Sequence, residues 1–423
     1  MTTESAPNPS AAAALVPSAF VAPYRWVILG VAVLAQTTAS IVSQGVYTLV
    51  PFLQSAFQLN QTQAALSVSA VNAGQVLSML LMGWLIDKYG ERGVVGITML
   101  AMGAAAVIAS LAPNYYVLLA CLVLLGASYA SVQPGGTKAM VKWFAPAQRG
   151  MATGIRQAGL PLGTALAAMT LPVLASQQGW QSAILLQGLV GMVGGLAFVF
   201  FYRRADSGIS QTVTAPPNPL QLIREVSAYK ALWPVMLAGV AMVTFQYTFA
   251  THILTFLTQR FGMSVVTAGL LYSVSQWVGI AGRIGLAWIS DHFWPNRRMR
   301  SLVVTMLICV ALTVCIAALP ASTPNWILVA LFVVVGIFGV GWYPLYLLQV
   351  AEMAPKTAVA STISFSMTMN MVAISIVPPL FGLIVDGSSY LWAWMALASG
   401  LFVAVINLRR GSSKAEAARL ERA

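Results

Sequence analysis

Arg156 and Arg283 each sit inside a long apolar run of this 423-residue chain, and charges placed there need a physical reason. A charge near the centre of a bilayer costs at least ~2.5–3.5 kcal/mol on insertion scales. Arg156 lies seven residues beyond Arg149, and Arg283 lies eight residues before Asp291. At about 1.5 Å per helical residue, they reach roughly 10 and 12 Å deep from the same side. The carboxylates lie elsewhere: Asp87, Asp206, Glu225 and Asp291 at that side, Glu352 near a helix end, and Asp386 towards the opposite side. Two cations without an acidic partner repel each other and attract an anion. Guanidinium also grips a carboxylate bidentately, as an ammonium cannot. The chemistry expected is capture of a small organic anion. The structural alternative is that each arginine snorkels or caps backbone carbonyls near the surface.

The elements that must position these arginines are spanning helices. The chain is 59% hydrophobic and only 8% charged, with mean hydropathy +0.81, whereas soluble domains run near a quarter charged. A spanning helix needs about 20 apolar residues. Twelve such runs are predicted: 24–48, 61–85, 93–112, 116–140, 150–175, 180–202, 232–257, 266–290, 300–320, 325–350, 357–382 and 389–408. They are too long and continuous for the alternating ten-residue strands of a β-barrel. The net charge of +12 does not point to nucleic acid. Of the Lys and Arg residues, Arg156 and Arg283 lie within runs and Arg260 alone falls on the far side. The rest share the side of both tails, the positive-inside pattern of cytoplasmic termini. Cys121, Cys309 and Cys315 all lie in apolar segments, and their odd number suggests no disulfide framework. Residues 1–23, rich in Ala, Pro and Ser, are expected to be a disordered cytoplasmic tail without the basic start of a signal peptide.

The chain repeats itself at half length. Gly83-Trp-Leu-Ile-Asp87-Lys88-Tyr-Gly90-Glu91-Arg92 is a short charged turn between two apolar runs. About 204 residues later comes Gly285-Leu-Ala-Trp-Ile-Ser-Asp291, followed by Arg297, Arg298 and Arg300. A second echo pairs Gly126–Pro134 with Gly336–Pro344, each Gly eight residues before its Pro and each Pro eight before a charge, Lys142 or Glu352. Two echoes of similar period predict two six-helix halves, 24–202 and 232–408. Residues 203–231, with Pro216, Pro217 and Pro219, read as a cytoplasmic linker, and 409–423 as a cytoplasmic tail. Gly83 is expected to allow close helix approach. Asp87, placed just past a helix end, is expected to accept from the first N–H groups of a neighbouring helix. Gly150, Gly154, Gly159 and Gly163 give the fifth run a smooth face, expected where two halves slide. In the first run, Gln36, Ser40, Ser43, Gln44 and Tyr47 form a polar stripe at spacings of three and four, suited to helix contact or to a cavity.

The charged turn resembles the G-x-L-x-D-[RK]-x-G-[RK]-[RK] loop of the major facilitator superfamily at Gly83, Leu85, Asp87, Lys88, Gly90 and Arg92. Glu91 departs where a base is usual, and the second copy carries Ala287 in a glycine position. The resemblance covers residues 24–408 and implies an all-α membrane protein, twelve transmembrane helices in two pseudo-symmetric six-helix halves. In that fold helices five and eight are neighbours, so Arg156 and Arg283 would face one cavity. Gly282-Arg283 ahead of Ser290-Asp291 resembles a run in monocarboxylate and oxalate/formate-type carriers, where the arginine binds the substrate carboxylate. The seventh helix, with Tyr247 and His252, is similar to a Tyr/His-bearing helix of the same carriers.

The resemblance also implies that helices one, four, seven and ten line the cavity, placing Gln36, Tyr129, Gln133, Tyr247, Trp342 and Tyr343 there, with Asn370 from helix eleven. An apolar pocket with a few polar groups suits a small acid, although aromatics at helical spacing more often pack. His252 could carry a coupling proton or be a hydrogen-bonded structural residue. The turns at Asp87, Arg92 and Asp291 would latch the cytoplasmic side in the outward-open state. The expectation is a secondary carrier in a bacterial inner membrane, moving a small organic anion by proton symport or anion exchange. Proton-driven drug efflux, inorganic anion transport and a membrane sensor are alternatives. Protons are the candidate co-substrate, and a monomer is expected. No phosphate-cradling loop, metal-ligand cluster or Ser/His/Asp arrangement points to a cofactor, a metal or enzymatic activity.

Overall fold

The computed structural model describes residues 23–203, 229–293, 298–354 and 359–420. Among these, twelve helices are long and apolar enough to cross a membrane. They are α1 Tyr24–Phe57, α2 Gln61–Tyr89, α3 Glu91–Ser110, α4 Tyr115–Trp143, α5 Gln148–Gln178, α6 Trp180–Phe201, α7 Lys230–Phe261, α8 Val265–Ser290, α9 Arg298–Ala318, α10 Asn325–Met353, α11 Thr362–Gly387 and α12 Tyr390–Gly411. Helices are the natural outcome, since hydrocarbon offers no partner for an unpaired backbone group. Local chemistry sets the ends. Asn60 and Gln63 form a reciprocal capping box at the start of α2, and Asn114 caps the start of α4. Gly90 and Gly179 both take φ 86°, a value open to glycine, to reverse the chain between helices.

Two elements run furthest past their predicted bounds. The α1 helix continues to Phe57 rather than ending at 48. The last helix continues from Tyr390 to Leu420, so the residues read as a C-terminal tail begin as helix. Residues 1–22 and most of the 203–231 linker lie outside the described residues.

The packing repeats between halves. In the first, α1 packs on α5, α2 on α4 and α3 on α6; in the second, α7 packs on α11, α8 on α10 and α9 on α12. The closest approaches rest on glycine: a Cβ at Gly74 would sit 2.0 Å from Val123 O, and one at Gly126 1.8 Å from Val71 O. The glycine face of α5 is not a sliding surface between halves. Gly159 and Gly163 close on α1, where a Cβ would lie 3.0 Å from Val33 O and 2.3 Å from Thr37 O respectively, while Gly150 and Gly154 meet open space. Gly83 likewise meets nothing within 4 Å.

The halves join along α2–α11, α5–α8 and α1–α7. Their cross-links lie away from the basic end, the end that carries Asp87, Arg92 and Lys142. Ser273 Oγ donates to Ala165 O at 3.1 Å, Trp277 Nε1 to Met169 Sδ at 3.5 Å, and Tyr47 meets Tyr247 edge to face at 5.9 Å. At the basic end, Lys138–Asp87, Lys142–Glu91 and Arg298–Glu352 each join helices of one half.

Glu91, the departure from the superfamily motif, has a defined place. It is 1% exposed, accepts from Lys142 Nζ at 2.8 and 2.9 Å, and accepts from Tyr202 OH at 2.8 Å. It thereby ties α3 to the ends of α4 and α6. Glu91→Ala leaves Lys142 and Tyr202 without their acceptor, and should cost about 2–3 kcal/mol of stability. The check is thermal unfolding of purified protein in detergent.

Candidate functional site

The two helices singled out by the Gly-to-Pro echo are both discontinuous. α4 is built of Tyr115–Tyr129 and Val132–Trp143. α10 is built of Asn325–Val335, a π-turn Gly336–Val340, and Tyr343–Met353. Pro134 and Pro344 sit early in the second segments, where a missing N–H is least costly. Broken spans at corresponding positions in two halves mark the substrate region of carriers, because irregular backbone at that depth must line a cavity or protein. Tyr129 and Gln133 flank one break; Trp342 and Tyr343 flank the other.

Arg156 is fully buried beside the α4 break. Its Nη1 donates to Gln36 Oε1 at 2.9 Å, and its Nη2 to Gln133 Oε1 and Thr137 Oγ1 at 3.2 Å each. Nε is buried without a partner. Gln36 Nε2 in turn reaches Tyr129 OH and Ser40 Oγ at 3.3 Å. Gly136 makes the room, since a Cβ there would lie 2.8 Å from Arg156 Nη1. Every partner is neutral, so the positive charge is solvated by dipoles but not cancelled. Thr137 is a ligand that sequence reading missed; it lies one helical turn beyond Gln133 on the same face.

Arg283 is less enclosed. Its Cζ lies 6.0 Å from the Tyr343 ring centroid, its Nε is buried without a partner, and among the described residues no hydrogen bond or ion pair reaches its guanidinium. Arg156, Gln36 and Tyr129 thus form one hydrogen-bonded chain in the first half, and Arg283 and Tyr343 form a separate pair in the second. Neither arginine is salt-bridged to a carboxylate among the described residues.

Trp342 is buried and donates to Gln246 Oε1 at 2.9 Å. Gln246, with Gln44, Thr164, Tyr247, Tyr272 and Gln276, surrounds a cavity of ≈ 10 Å³ between the halves, about the space of one water. Gln246 and Gln276 escaped sequence reading because single amides in apolar runs carry no pattern. Asn370 is buried, with neither polar atom of its side chain hydrogen-bonded among the described residues, and the Tyr346 hydroxyl bonds Ser366.

His252 is drawn away from this group. It is fully buried, with Nε2 2.9 Å from Pro378 O on α11 and its ring 4.7 Å from Phe381. Its surroundings are packed aromatics rather than the cavity, so its place as a substrate ligand is not supported by the geometry. Transport measured from pH 5 to 8 is expected to keep its profile in His252→Gln.

Asp87 is not past its helix end. It lies in the last turn of α2 and takes Lys138 Nζ at 2.7 Å, a side chain rather than helix N–H groups. Arg92 Nε donates to Val199 O at 2.9 Å. The Asp291 side chain lies outside the described residues. Asp87 and Arg92 thus bond within their own half.

A twelve-span bundle in two like halves, with a polar site at paired helix breaks between them, defines a membrane transporter rather than an enzyme. The chain belongs to the Major Facilitator Superfamily, whose family model matches residues 32–378. It is 27% identical over 374 residues to an uncharacterized MFS-type transporter of Mycobacterium tuberculosis, covering 88% of this chain and 81% of the relative. It is 25% identical to the hexuronate transporter of Bacillus subtilis, covering 84% and 86%, and 25% identical to a probable sulfoacetate transporter of Cupriavidus necator, covering 64% and 66%. Among solved structures, a bacterial homolog of the human lysosomal transporter Spinster superposes with TM-score 0.77 at 17% identity, covering 93% of this chain and 97% of that one.

Proposed function

We propose that the protein is a secondary transporter of a small organic anion, held by its carboxylate between Arg156 and Arg283 and moved by alternating access. The observation that carries this reading is that the Arg283 guanidinium has no acidic or hydrogen-bonded partner among the described residues, while the partners of Arg156 are all neutral. A buried charge without a counter-charge is costly, and an incoming carboxylate removes that cost while gaining charge-assisted bonds. The named cargoes of two relatives, hexuronate and sulfoacetate, are organic acids, which agrees with this chemistry. The basic end is cytoplasmic by the positive-inside rule, in a bacterial inner membrane. The cargo is read as monocarboxylate-like, and proton symport and anion exchange both fit a site in which no described acid pairs with either arginine.

The test is uptake into proteoliposomes of labelled monocarboxylates, hexuronates and sulfoacetate, with and without a pH gradient. Saturable uptake of an anion, inhibited by other small carboxylates, is expected. Saturable transport confined to neutral or cationic compounds overturns the reading.

A further inference from the structure

The charged turn at the basic end has a counterpart at the far end that the function above does not use. α2 ends in Gly83-Trp-Leu-Ile-Asp87, and α11, which packs along α2 across the halves, ends in Gly382-Leu-Ile-Val-Asp386. The two helices run in opposite directions, so the two Gly-x-x-x-Asp runs sit at opposite ends of the same contact. Only one is docked on the partner half.

Asp386 Oδ1 accepts from Gln61 N at 2.8 Å, and Oδ2 accepts from Thr62 N at 2.8 Å and Thr62 Oγ1 at 2.6 Å. These are the first two backbone donors of α2. The third, Gln63 N, is taken by Asn60 Oδ1 at 2.7 Å. The first free N–H groups of a helix carry its positive end, and here two of them are answered by a carboxylate from the other half. Gly382 permits the approach: a Cβ there would lie 2.8 Å from Gln61 C and O and from Thr62 N. At the other end Gly83 meets nothing within 4 Å and Asp87 pairs within its own half.

We propose that Gly382 and Asp386 form a latch that holds the far end of the two halves shut, closing on the N-terminus of α2 and parting from it in each transport cycle. Separation of the halves at this end must break all three bonds at once, because α2 and α11 belong to different halves. Asp386 is exposed on its remaining side, so water replaces its partners as they leave. That keeps the latch reversible. Its strength is the difference between charge-assisted bonds to a helix end and hydration of the same groups.

The experiment reads the far end directly, without substrate. Spin labels are placed at Tyr116→Cys in the first half and Ser322→Cys in the second, both exposed at that end, with Cys121, Cys309 and Cys315 replaced by alanine. Distances are measured by electron–electron resonance in nanodiscs. Asp386→Asn keeps the shape and removes the charge. It should raise the ratio of long- to short-distance populations roughly three- to ten-fold. Thr62→Val removes one of the three bonds without touching the carboxylate, and should move the ratio in the same direction by less. Should Asp386→Asn not yield folded protein, Thr62→Val decides alone. Distributions identical to the parent, or shifted to shorter distance, overturn the proposal.

Discussion

Arg283→Gln is expected to lower kcat/KM for anion uptake by about 100- to 1,000-fold. A buried, charge-assisted pair truncated at one partner costs about 3–4 kcal/mol, and each 1.4 kcal/mol is tenfold. Arg283→Lys should fall between, near tenfold, because the charge remains while the two-pronged geometry is lost. The folded protein should not suffer in parallel. Arg283 has no hydrogen-bond or ion-pair partner among the described residues, so the glutamine leaves no carboxylate stranded, and the melting temperature should hold or rise. Uptake by reconstituted protein and thermal unfolding in detergent check the two halves of this claim. Normal uptake in Arg283→Gln removes the anion reading, whereas lost uptake with lost folding would make Arg283 a structural residue.

What the sequence showed and what it hid follow from the kinds of force involved. The bilayer demands long apolar runs, so twelve spans and their halves are legible from hydropathy and from the echoes at Asp87/Asp291 and Pro134/Pro344. That Arg156 and Arg283 fall within spanning helices is legible for the same reason. Rotation about the helix axis is much less so. The glycine face of α5 reads as one where two halves slide, but the structure sets Gly159 and Gly163 against α1. His252 reads from the sequence as either a proton carrier or a hydrogen-bonded structural residue, and the structure packs it against Pro378 and Phe381 of α11. Glu91 looked like a lapse in a motif; its meaning depends on Lys142 and Tyr202, 51 and 111 residues away. Asp386 is a lone acid near a helix end in the sequence and becomes a bond between halves only once α2 lies beside α11.

Arg156→Met should separate stability from function most sharply. Arg156 is 0% exposed, and the partners it holds are two amides and a hydroxyl. Taking an ion out of water costs several kcal/mol, and neutral acceptors return only part of that. Replacing it with an apolar side chain of similar length removes the cost, at the expense of leaving Gln36, Gln133 and Thr137 to find other donors. Gln36 already touches Tyr129 and Ser40, which softens the loss. The two changes oppose each other, and the net effect on unfolding free energy should be within about 1 kcal/mol of zero. Uptake should nevertheless fall at least about 100-fold, since half of the anion's grip is gone. Ligand-induced stabilisation gives an independent measure. A transported anion at about 100 times its Kd stabilises the wild type by about 2.7 kcal/mol, and the same concentration should give almost no shift in Arg156→Met. If the variant unfolds several kcal/mol more easily but binds the anion as well as wild type, Arg156 serves as a cross-brace between α1, α4 and α5, and Arg283 alone holds the cargo. Stability near the wild type with the ligand shift abolished is the outcome that a charge kept uncancelled for an incoming anion requires.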